Sequence, residues 1–201
     1  GAMTGRDYVG ALAGIAGNGT LVRRVNSSTQ VTSSGRAGGL VASATATFDY
    51  ASASGAVTGV SDVGGLVGAA SGSGSISHSS ASGNVTGTGT GSGAGSVGGL
   101  VGDFRLSGGV SSSTATGQVS GGAETGGLIG YFNSNGDISS STASGAVSST
   151  VNGDVGGLLG YANGSGSLSD SSATGNVSAP TGANSVGGLV GEFRLSVAAV
   201  N

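Results

Sequence analysis

Residues 63–68 read VGGLVG, residues 97–102 repeat the same six letters, and residues 155–160 read VGGLLG. Near copies place the same leucine at Leu12, Leu40, Leu66, Leu100, Leu128, Leu158 and Leu189, separated by 28, 26, 34, 28, 30 and 31 residues. A second apolar position follows at Val22, Phe48, Ile76, Val110, Ile138 and Leu168, and a third at Val31, Val57, Val85, Val119, Val147 and Val177. From the third anchor to the next leucine the distance is 9, 9, 15, 9, 11 and 12 residues, so nearly all variation in length falls at one joint. Three anchors about nine or ten residues apart with a single permissive joint predict a coil with three sides. Forty-six glycines in 201 residues disfavour helices, whereas Val, Thr and Ile beside Gly suit short strands. The expected fold is therefore all-β: a parallel β-solenoid of six to seven coils, each of roughly 28 residues and about three short strands. Right-handed winding is the default for parallel crossovers. Gly1-Ala2-Met3 reads as a protease-cleavage scar, residues 4–201 as one solenoid domain, and the whole as a segment of something larger.

Composition removes whole classes of chemistry. With no Cys and one His there is no disulfide framework, no thiolate metal centre and no His-rich zinc site. The chain contains no Lys, which excludes Schiff-base chemistry and P-loop phosphate binding. Six Arg against nine acids leave a net charge of −3, a poor match to phosphate backbones, so no nucleic-acid partner is expected. No apolar run reaches the roughly 18 residues of a membrane span, so no membrane insertion is expected either.

The segments ISHSSASGNVT (76–86), VSSSTATGQVS (110–120), ISSSTASGAVS (138–148) and LSDSSATGNVS (168–178) share one register. Alternation turns Ala81, Gly83 and Val85 inward and leaves an outward ladder of Ser80, Ser82, Thr114, Thr116, Thr142, Ser144, Ser172 and Thr174. Around the leucine, neighbours in a strand face opposite ways, so Leu66 inward implies Val67 outward. That reading gives an exterior apolar column, Val67, Val101, Ile129, Leu159 and Val190, flanked by Tyr131 and Tyr161, as a candidate contact surface for lateral self-association. The alternative is a bulge at the Gly pair that turns both apolar residues inward.

These VGGLVG segments, each followed by a Ser/Gly-rich strand pair, resemble the GLUG-motif repeat of bacterial surface proteins. The resemblance covers almost the whole chain, with VGALAG at 9–14 and AGGLVA at 37–42 departing from the motif. It implies a β-solenoid module of a large secreted adhesin of the filamentous-haemagglutinin type, or of the non-catalytic part of an IgA-cleaving metallopeptidase. The implied location is extracellular, at the bacterial cell surface, with a host or matrix protein or polysaccharide as partner and a role in attachment or biofilm contacts. The motif describes framework positions and carries no binding residues.

The remaining chemistry is sparse. His78 stands in a column otherwise held by Ser112, Ser140 and Asp170 and reads as part of a solvated face, so no catalytic residue is assigned and no enzyme is expected. Asp62, Glu124 and Asp154 lie just before the Gly pair without the calcium-repeat pattern, so they read as surface charge; no metal and no cofactor are expected. GDFRLS (102–107) and GEFRLS (191–196) place Arg105 and Arg194 as candidate polar anchors, and Tyr131 with Tyr161 as a candidate sugar platform. Two further functional readings follow: ice binding by the outward Ser/Thr ladder, and glycan binding at the Tyr and Arg residues.

Overall fold

The computed structural model describes residues 1–90 and 95–195, and among these it has strands and no helix. All strand pairs are parallel and join residues one coil apart, which makes the chain a β-solenoid. In the coil that starts at Val101, sheet I holds Val101–Leu106, sheet II Val110–Ser111, sheet III Thr114–Ala115, sheet IV Val119–Ser120 and sheet V Glu124–Gly126. Sheets I, IV and V have seven strands each, sheets II and III six. Five strands per coil thus replace the three expected from the anchors. The leucine anchors mark the corner between sheets V and I, the second anchors line sheet II, and the third line sheet IV. Sheet III escaped notice because its interior column is Ala53, Ala81, Ala115 and Ala143, too small to register as an anchor. The first strand, Ala2–Gly5, pairs with Gln30–Ser33 and so begins within the residues read as a scar.

Two corners shape the cross-section, and both break the alternation of a plain strand. At the VGGL corner the N–H groups of Leu66 and Val67 both donate to the carbonyl of Leu100, at 2.9 and 3.1 Å. Leu100 and Val101 treat Leu128 in the same way, as Leu128 and Ile129 treat Leu158. Two successive amides on one acceptor advance the pleat by a residue, as in a β-bulge, so neighbouring side chains face the same side. Val67, Val101, Ile129 and Leu159 are at most 1% exposed, and Val190 packs against the same core. The exterior apolar column is therefore corrected to an interior one, and the flanking Val63, Val97 and Val155 are buried with it.

The glycines of this corner follow from a backbone-to-backbone seam between sheets V and I. A Cβ on Gly102 would lie 2.7 Å from the Val63 nitrogen, and one on Gly130 2.6 Å from the Val97 nitrogen. A Cβ on Gly99 or Gly127 would lie 2.9 Å from the Cβ of Ala115 or Ala143 across the coil. No side chain fits either approach. The core accordingly has two compartments. A valine-lined one lies between sheets IV and V, with Val31, Val57, Val63, Val85, Val97 and Val119. The larger one, inside sheets I, II and III, holds the leucines, Phe48 and the stacked Phe104 and Phe132.

The second corner lies between sheets II and III, where Arg24, Tyr50, His78, Ser112, Ser140 and Asp170 all take φ near +50°. Non-glycine residues rarely hold that conformation. In the four coils from His78 to Asp170 the next residue, a serine, helps to fix it, whereas Val25 and Ala51 follow Arg24 and Tyr50. The hydroxyl of Ser113 donates to the Ser111 carbonyl at 2.8 Å and accepts the N–H of Ser79, one coil away, at 3.2 Å. Ser79, Ser141 and Ser171 repeat the donated bond, and Ala51, Ser113 and Ser141 supply the corresponding amides. Ser79, Ser113 and Ser141 are buried, so this inner ladder completes backbone bonding where the strands stop.

Candidate functional site

In sheet I, past its glycine, Asp103 and Arg105 point outward while Phe104 and Leu106 point in. The outward column runs Ser43, Ala69, Asp103, Tyr131, Tyr161 and Glu192. Tyr131 and Tyr161 stack with ring centres 5.3 Å apart and planes within 2°. The Arg105 guanidinium lies 5.1 Å from the Tyr131 ring centre and that of Arg194 lies 5.8 Å from Tyr161. Asp103 holds Arg105 at 2.9 Å, and Glu192 pairs with Arg194. The two predicted anchors and the two tyrosines thus form one four-layer stack along the solenoid axis. Because each ring has a tyrosine on one face and a cation on the other, neither face is open to a sugar ring. The stack presents edges; its cation–π contacts join adjacent coils, while each ion pair lies within one strand and holds its arginine in place. Small side chains at Ser43, Ala69 and Ser71 leave a shallow depression beside it, between Arg36 and Arg105.

Next to the stack, the outer residues at the start of sheet V bring the acids together. Arg36 binds Asp62 through two nitrogens at 2.6 and 3.0 Å, Ser96 donates to Glu124 at 3.1 Å, and Glu124 is the register partner of Asp154. Burial pushes the Glu124 carboxyl up, and the charge of Asp154 adds to it. Asp154 is also pushed up, by burial and then by the charge of Glu192, and its buried Oδ1 has no hydrogen-bond partner among the described residues. Asp103 is raised by burial against the pull of Arg105. Reading Asp62, Glu124 and Asp154 as plain surface charge is therefore corrected for Asp154, which is only 7% exposed. Among the described residues no group of three or more acidic, His or Cys side chains is arranged to hold a metal ion.

His78 projects from the second corner, stacked on Tyr50 at 4.6 Å, with its Nδ1 3.2 Å from Asp49, which also binds Arg23 at 3.1 Å and Ser77 at 3.1 Å.

On the opposite flank, Ser80, Thr114, Thr142 and Ser172 follow one another in register along sheet III and point out. Ser82, Thr116, Ser144 and Thr174 form the exposed column beside them. Sequence reading missed the inner serine ladder one position earlier. Its signal was available: Ile76 and Ala81 both face inward at an odd spacing, which requires a corner between them.

The GLUG motif matches residues 59–86 and 151–178. Each match spans about one turn of the solenoid and contains one VGGL corner and one serine corner. No curated protein and no solved structure matches the chain. The chain thus carries two matches to the GLUG motif, set on a continuous stack of like coils.

Proposed function

We propose that this region is a non-enzymatic structural module of a secreted or surface-exposed bacterial adhesin, a stiff rod that carries contacts away from the cell. The observation that carries the reading is the continuity of the interior columns. Leucine, valine, alanine and serine each stack on their own kind from coil to coil, so bending the rod breaks packing and hydrogen bonds at once. Seven coils at about 4.8 Å per strand make a rod of roughly 30 Å. The charge-poor Ser/Thr flank supports contact with a host or matrix protein or polysaccharide through many weak hydrogen bonds.

Deleting one whole coil, residues 100–127, joins Gly99 to Leu128 and keeps every column in register. The rod reading expects a folded, shorter chain whose attachment to polysaccharide-coated beads falls only in proportion to length. Complete loss of attachment with the fold intact would show a discrete site in the deleted coil and overturn it.

The paired outward columns of sheet III favour ice binding as a second reading, with Thr114 and Thr116 its fullest instance. Serine lacks the methyl that would complement the hydroxyl at most other positions. Thermal hysteresis of the chain separates the two readings. Glycan binding by stacking on Tyr131 or Tyr161 has lost its support, because their faces are covered.

A further inference from the structure

Tyrosine is where one-electron oxidation of this chain comes to rest. The sequence holds no Cys and no Trp, one Met and four Tyr, so a radical formed on it has few other side chains to occupy. Two of the tyrosines stand apart from any other: Tyr8 lies beneath the Arg36 guanidinium at 5.5 Å, and Tyr50 stacks on His78 at 4.6 Å. Tyr131 and Tyr161 are instead register partners on adjacent strands of sheet I. Among the described residues they are the one tyrosine pair in ring contact, 5.3 Å apart and within 2° of parallel. Parallel strands in register turn both hydroxyls the same way, so the ring carbons ortho to them lie on neighbouring edges.

We propose that Tyr131 and Tyr161 form an oxidative cross-linking site, at which a one-electron oxidant, such as a peroxidase supplied with hydrogen peroxide, joins the two rings as dityrosine and ties adjacent coils covalently. Each phenol gives up one electron to the oxidant and its hydroxyl proton to water, leaving two tyrosyl radicals. A carbon–carbon bond then forms between the ortho carbons, and the hydrogens on those carbons pass to the two oxygens, which restores both phenols. Two electrons and two protons are lost in all, matched by one peroxide reduced to two waters. Both residues are partly exposed, so the oxidant reaches the ring edges. The covered faces select the partner. Arg105 lies over the far side of Tyr131 and Arg194 over that of Tyr161, so a tyrosine of a second chain has no face to stack on. Proximity adds to this, because two groups held on paired strands react as if each met the other at very high concentration. This inference is independent of the adhesin reading.

Peroxidase and hydrogen peroxide added to the chain at micromolar concentration test it, read by dityrosine fluorescence of the monomer band on a denaturing gel and by peptide mass. Wild type keeps its monomer size, loses two hydrogens in mass and yields a cross-linked peptide pair carrying Tyr131 and Tyr161. Tyr131→Phe and Tyr161→Phe keep a ring in the stack but remove a phenol, and each lowers the fluorescence of the monomer band about tenfold or more. Tyr8→Phe and Tyr50→Phe leave it unchanged. Circular dichroism confirms that all four variants fold. Fluorescence confined to cross-linked dimers, a wild-type monomer without dityrosine, or Tyr131→Phe and Tyr161→Phe variants as bright as wild type would each overturn the proposal.

Discussion

Two serine-rich ladders run one residue apart through four coils of this molecule, Ser79, Ser113, Ser141 and Ser171 inside and Ser80, Thr114, Thr142 and Ser172 outside. The inner hydroxyls each accept an amide from a neighbouring coil and donate to a carbonyl in their own. The outer ones face water, which meets their needs whether or not the coils are stacked. The same residue type is thus architecture in one column and surface in the next. What separates them is the corner between sheets II and III, which leaves backbone groups that no strand partner reaches.

The contrast between inside and outside is sharpest at the VGGL corner. Ile129→Lys with Leu159→Lys puts two ammonium groups into the larger core and is expected to abolish the cooperative unfolding transition in circular dichroism. A double variant that stays folded would place the column outside again.

A subtler contrast concerns Asp154, which is buried like a core residue yet charged like a surface one. Its carboxyl is raised, so the folded state binds its proton more tightly than the unfolded state does. Stability from this group is present below the ordinary carboxyl range and is lost as pH rises through the shifted value. Glu124 and Asp103 act in the same direction. Asp137 acts oppositely: the hydroxyl and N–H of Ser167 hold it low, and its contribution is lost as pH falls through its depressed value. Asp154→Asn is therefore expected to raise the melting temperature at pH 7 and leave it nearly unchanged at pH 3. A lower melting temperature at pH 7 would mean that the charge is compensated. The smallest effect belongs to His78→Ser. Serine already stands at the equivalent corner in Ser112 and Ser140, so the change, read by urea denaturation, stays within about 0.5 kcal/mol.

Much of this was legible before the structure. The recurring leucine and its fixed companions carry the period, the strand class and the stacking, because a repeat that cannot bury itself alone must stack. Ser80 to Thr174 lie outside because alternation holds between the two corners. It fails at the corners themselves, where a shared carbonyl acceptor or a left-handed residue advances the pleat by one. That is why plain alternation gives Val67 the wrong face, as the bulge alternative allows for, and passes over Ser113 beside Thr114. The stacking of Tyr131 on Tyr161 follows from equivalent positions in adjacent coils. That Arg105 and Arg194 close its two faces depends on side-chain directions that spacing does not encode.

The most direct measurement is the difference in urea-unfolding free energy between Ser113→Ala and Thr114→Ala. Ser113→Ala leaves the amide of Ser79 without its acceptor and takes one of two donors from the Ser111 carbonyl, which the N–H of His78 still reaches at 3.1 Å; it is expected to cost about 1 to 3 kcal/mol, while Thr114→Ala stays within about 0.5 kcal/mol. Equal losses for the two variants, or a larger loss for Thr114→Ala, would contradict the division into an inner ladder that holds the coils together and an outer one that does not.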